Sequence, residues 1–123
     1  MKKYLIFIIS VIFLILILSS CFFIQKPTLE APILLMPPNG TITSTNVTLS
    51  WKEPGYSQSL EYKIFFGTDA NPQYVTTVQS TSFAENDLAY STKYYWQIVA
   101  FDQSGQSATS AVWSFTTESA PLP

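Results

Sequence analysis

The side chains able to do chemistry in this chain are few and widely spaced. Of its 123 residues none is His, one is Cys, at position 21, and eight are acidic. Without His, no Ser/His or Cys/His nucleophile–base pair can be assembled, nor a His-based zinc site. Paired carboxylates would still suffice to hydrolyse a glycosidic bond. Asp69, Asp87 and Asp102, however, each stand alone beside turn residues, where Asp is favoured because its side chain bonds the nearby backbone. Gly occurs only four times, and no Gly-rich phosphate loop is present. The sequence therefore implies no enzyme, cofactor or metal.

Charge narrows the partners. The chain has six Lys and no Arg; without Lys2 and Lys3, four Lys face eight acids, a net charge of −4. A mildly acidic domain with no basic cluster is a poor ligand for nucleic acid or for anionic lipid. Two sequons, Asn39-Gly40-Thr41 and Asn46-Val47-Thr48, matter only in a glycosylating host.

The N-terminus is not globular. Met1-Lys2-Lys3 is a basic start, Leu5 to Leu18 is strongly apolar except for Ser10, and Ser19, Ser20 and Cys21 follow. A charged beginning, an apolar run and small residues describe a secretory signal over residues 1–20. A membrane-spanning helix is the alternative, because Tyr4 to Ile24 gives 21 uncharged residues and about 20 cross a bilayer. Leu18-Ser19-Ser20-Cys21 resembles the lipobox of bacterial lipoproteins, which implies lipid attachment at Cys21 and a mature chain that begins there. Either reading puts the rest outside the cytoplasmic membrane, in the cell envelope, held by an N-terminal lipid or helix. The N-terminal lysines fit the positive-inside rule. Cys21 is the sole cysteine, so no internal disulfide can form.

After a tether over residues 21–30 the texture changes. Runs rich in Val, Ile, Tyr, Phe, Trp and Thr alternate with polar residues and are separated by turn signals. Seven strands are predicted, at 32–36, 47–51, 62–66, 73–79, 81–83, 93–101 and 111–117. Pro37-Pro38-Asn39-Gly40, Glu53-Pro54-Gly55, Gly67-Thr68-Asp69 and Asp102-Gln103-Ser104-Gly105 supply turns. Seven short strands without a helical repeat imply an all-β two-sheet sandwich over residues 31–118, with a tail at 119–123. Trp51, Tyr62, Ile64, Phe83, Leu88, Tyr94, Trp96, Ile98 and Phe115 fall on inward parity and predict the core.

Four segments carry a family resemblance. Leu49-Ser50-Trp51, Tyr62 to Thr68, Leu88 with Tyr94 six residues later, and Val112 to Thr117 resemble, in order, the second strand, third strand, tyrosine corner and final strand of a fibronectin type III domain. The resemblance implies an immunoglobulin-like sandwich in which the Tyr94 hydroxyl bonds the chain a few residues upstream. It does not imply one function, because the fold hosts many.

The resemblance also makes the third, sixth and last predicted strands neighbours. Parity then turns Phe65, Tyr95, Val99, Phe101 and Val112 onto one outer face. Apolar patches of this kind tend to mark contact surfaces, although aromatic cross-strand pairs also stabilise a sheet without any partner. Two roles follow as expectations. One is a non-catalytic, envelope-tethered module that contacts protein or carbohydrate. The other is a structural subunit or spacer of an envelope assembly.

Overall fold

The structure is a computed structural model that describes residues 1–19, 25–56 and 58–123. It begins with helix α1 (Lys2–Ser19). Eighteen residues at about 1.5 Å each rise about 27 Å, just short of the roughly 30 Å hydrocarbon core. Among the described residues no helix is long and apolar enough to cross a membrane. Cys21 lies outside the described residues.

Nine strands follow: β1 (Ile33–Met36), β2 (Thr41–Thr43), β3 (Val47–Lys52), β4 (Leu60–Gly67), β5 (Gln73–Val78), β6 (Ser82–Glu85), β7 (Lys93–Asp102), β8 (Ser107–Thr109) and β9 (Trp113–Thr117). All seven predicted strands are present; β2 and β8 are additional. Both are three residues long, too short for alternation to register. One sheet has the order β1-β3-β6 and the other β2-β9-β7-β4-β5, with β8 also paired to β7. Strand β2 arises because the chain switches sheets after β1. It passes a cis Met36–Pro37 bond and Gly40 at φ 79°, then runs parallel to β9. Gly40 is suited to that left-handed geometry, which costs other residues energy.

The core lies between the sheets where parity places it. Trp51, Tyr62, Ile64, Tyr94, Trp96, Ile98 and Phe115 are buried, and Phe83 and Leu88 pack against them part-buried. Phe66, Tyr94 and Phe115 form one aromatic group, with Phe66 stacked on Tyr94 at 5.1 Å. Trp51 meets Tyr62 edge-on at 5.4 Å. Full burial of each large side chain contributes roughly 1.5–3 kcal/mol, which a domain without a disulfide staple needs.

The segment read as a tether carries one core residue. Leu29 is only 6 % exposed and belongs to the core. The folded domain therefore begins upstream of the expected boundary at residue 31.

The crossover from β6 to β7 is fixed by Tyr94. Its hydroxyl accepts a hydrogen bond from the Ala89 N–H at 3.0 Å, the tyrosine-corner contact that the resemblance implies. The Ala89 carbonyl in turn accepts from the buried Thr117 hydroxyl, which also accepts from the Thr92 N–H at 3.0 Å. Tyr62 is the opposite case. Its buried hydroxyl makes no hydrogen bond of good geometry among the described residues. Burial pushes its pKa up to about 12, aided by the nearby Glu53 carboxylate.

Two tyrosines of the same core thus predict opposite outcomes. Tyr94→Phe leaves the Ala89 N–H without its partner and should cost about 1–3 kcal/mol in equilibrium unfolding. Tyr62→Phe removes an unsatisfied group and should be neutral or stabilising. Equal losses in the two variants would contradict both assignments.

Candidate functional site

The outer face of the larger sheet is built in rows by its register. Glu61 lies opposite Phe101, Lys63 opposite Val99, Phe65 opposite Gln97 and Gly67 opposite Tyr95. On the far side of β7, Ser114 faces Tyr95 and Thr116 faces Lys93. Phe65, Tyr95, Val99 and Phe101 therefore share the outer face, as parity predicts. All four are half-buried. Val112 is exposed but lies in the loop that leads into β9, which starts at Trp113. It is not on the expected strand.

One aromatic residue of this face is invisible to alternation. Tyr74 pairs with Phe65, yet Thr76 pairs with Ile64, so a bulge at Val75 inserts one residue in β5. A one-residue slip moves every following side chain to the opposite face. Tyr74 consequently points outward, 55 % exposed, with its ring edge-on to Phe65 at 5.9 Å. Its hydroxyl is 3.1 Å from the Thr77 hydroxyl, which lies on the same face.

Two lysines cap the remaining rings. Lys63 Nζ stands 5.1 Å from the Phe101 ring centroid and Lys93 Nζ 5.2 Å from that of Tyr95. Cation–π contacts at exposed sites are worth about 0.5–1 kcal/mol, weak enough to be exchanged for a ligand. The face thus offers Tyr74, Phe65 and Tyr95 rings next to Gln97 and Ser114, an aromatic platform with hydrogen-bonding groups between.

The carboxylates are employed structurally or stand at the margin. Asp69 accepts from the Asn71 N–H at 2.8 Å, closing its turn. Glu53 and Glu61 line one cleft of about 410 Å³, together with Phe101 and Gln79. Sequence separation hides that proximity. Among the described residues no group of three or more acidic, Cys or His side chains lies close enough to hold a metal ion. Both sequon asparagines brace the backbone: Asn39 Oδ1 accepts from the Ser114 N–H and Asn46 Oδ1 from the Asp87 N–H.

Asp102 is the most heavily bonded carboxylate. It is 5 % exposed. Its Oδ1 accepts from the Ser104 N–H, the Ser104 hydroxyl and the Gln106 N–H at 2.7–3.0 Å. Its Oδ2 accepts from the Tyr56 hydroxyl at 2.7 Å. Tyr56 first, then Ser104, holds the Asp102 pKa down to about 2, and Asp102 in turn pushes that of Tyr56 up.

The class is set by two sheets of opposed aromatic cores, a sheet-switching first strand and a tyrosine corner. It is an immunoglobulin-like sandwich. The sequence profile of the fibronectin type III domain matches residues 37–116, and the chain belongs to that family. Exoglucanase B of Cellulomonas fimi is 34 % identical over 84 residues, 67 % of this chain and 7 % of that protein. The chain thus spans a small fraction of the length of the curated relative it matches. The sixth fibronectin type III domain of human fibronectin type III domain containing protein 3 has a TM-score of 0.61 at 19 % identity, covering 80 % of this chain and 92 % of that one. A β-1,2-glucanase from Parabacteroides distasonis has a TM-score of 0.60 at 18 % identity, covering 80 % of this chain and 14 % of that one. At such identities the structural likeness establishes the fold alone.

The lowered pKa of Asp102 predicts an acid limb. A group whose folded pKa lies below its unfolded value stabilises above the unfolded value and loses that contribution as pH falls through the folded one. For Asp102 this window runs from 3.8 down to about 2. Glu85, which burial pushes up, acts in the opposite sense at higher pH. Thermal melts between pH 5 and 2, in the range spanned by carboxyl titration, should show a steeper fall for the parent than for Asp102→Asn. Parallel curves would contradict the network.

Proposed function

We propose that this chain is a non-catalytic binding module, tethered to the cell envelope by lipid on Cys21, that contacts a glycan or a protein through the outer face of its larger sheet. The observation that carries this reading is the platform of Tyr74, Phe65 and Tyr95 with lysine-capped flanks. A glycan is favoured. Flat rings interleaved with amide and hydroxyl groups suit sugar rings, and the sequence relative is named as an exoglucanase. In that protein this region is a small part of a much longer chain, as expected of an accessory module rather than a catalytic one.

A spacer role is the second reading, and one observation favours it. The described chain enters the sandwich at the end where β7 finishes, since Leu29 bonds Gln106 there. It leaves at the other end, where Glu118 bonds Ser91. Opposite termini suit a link in a series.

A triple variant, Phe65→Ala, Tyr95→Ala and Phe101→Ala, separates contact from sheet stabilisation. The proposal expects loss of retention on envelope polysaccharide, since aromatic anchors dominate interface energies. The stability loss should stay within about 1 kcal/mol per cross-strand pair. A strongly destabilised variant that still binds as the parent does would show that the face only stabilises the sheet.

The anchor has its own test. One acyl chain gives marginal membrane affinity and several are needed for stable attachment. Mass spectrometry of the protein purified from its host should find a mature chain that starts at Cys21 with acyl groups on it. An intact Met1–Ser20 segment with a free thiol would remove the lipid tether from the account.

A further inference from the structure

The residues just before β1 are hydrogen-bonded to one end of the sandwich. Lys26 Nζ donates to Ser104 Oγ at 3.0 Å. The Leu29 N–H donates to Gln106 Oε1 at 3.3 Å, and Gln106 Nε2 donates to the Pro27 carbonyl at 3.4 Å and to Tyr56 Oη at 3.1 Å. Ser104, Gln106 and Tyr56 are the same three residues that bond Asp102. The chain therefore leaves the domain through a fixed latch, with Leu29 buried behind it. The turn between β7 and β8 rests on the hub carboxylate.

We infer that this latch fixes the orientation of the domain on the envelope: the β7–β8 end lies against the lipid surface, and the β6–β7 end points away. The inference rests on the Cys21 anchor proposed above. Five Cα steps separate Cys21 from Lys26, at most about 18 Å at roughly 3.6 Å each. Strand β7 is ten residues long, about 33 Å at 3.3 Å per residue. Lys26 docks where β7 ends, whereas Tyr90 precedes its start. With the latch closed, the tether cannot reverse the domain. The β7–β8 turn, Gln103-Ser104-Gly105, is uncharged and exposed, and the one exposed charge bonded to it, the Lys26 ammonium, is of the sign that anionic headgroups attract; Glu53 and Glu61 stand to the side, at the cleft beside Phe101. The outer aromatic face is left open sideways to a glycan lying along the envelope.

The experiment uses the full chain in vesicles of phosphatidylethanolamine and phosphatidylglycerol. A photo-crosslinking amino acid replaces Gln103 in one preparation and the exposed Tyr90 in the other. Lipid adducts are expected to be several-fold more abundant at position 103. Equal adducts, or an excess at 90, overturn the orientation. Hydrogen exchange of the Leu29 amide reads the latch without reference to the membrane. It should be protected in the parent and accelerate about tenfold or more in Gln106→Ala, as local opening predicts. Exchange of Leu29 at the free-chain rate in the parent overturns the latch. A chain that stays off the vesicles while Leu29 is protected overturns the anchor, and the orientation with it, and leaves the latch standing.

Discussion

The sandwich depends on how the chain crosses from β6 to β7. Seven residues, 86–92, must carry the chain from one sheet to the other. Two of them, Asp87 and Ser91, adopt left-handed backbone angles, which non-glycine residues do at a cost. The Tyr94 phenol meets the Ala89 N–H and the Thr117 hydroxyl meets the Ala89 carbonyl. The backbone donor and acceptor of Ala89 are thus both satisfied by side chains, one from strand β7 and one from β9. Those strands are thereby held in register with each other, and the outer face, which their register assembles, inherits that order.

The other end of the molecule is organised by a charge. Asp102 ends β7 inside the protein, and four hydrogen bonds compensate the loss of water around its carboxylate. An uncompensated buried carboxylate would be strongly unfavourable. The network converts that liability into geometry: it shapes the β7–β8 turn, positions Gln106 and so holds the segment that precedes β1. The two ends differ in kind, one satisfied by a phenol and the other by a carboxylate, with the aromatic core between them.

Much of this was legible in the sequence. Alternation in β3, β4 and β7 is strict because each faces a dry core on one side, and the buried residues follow parity there without exception. Local patterns are silent where structure depends on partners far along the chain. Strands β2 and β8 exist only because β9 and β7 offer them an edge. Tyr74 reaches the outer face through a bulge that no composition signals. Val112 falls one residue short of the strand that parity assumed for it. Leu29 was hidden among tether residues, since one apolar side chain carries no period. Thr117 closes the crossover from a position that reads as an ordinary strand end.

The central claim is that the rings of β4, β5 and β7 form the contact surface of a family member without a catalytic constellation in its sequence. Amide chemical-shift mapping of the isotope-labelled protein against soluble β-glucan oligosaccharides tests it most directly. The account predicts perturbations centred on Phe65, Tyr74, Tyr95 and Gln97, rows that are contiguous across the sheet. Perturbations confined to the 68–72 and 86–92 loops, with the sheet face unmoved, would contradict it.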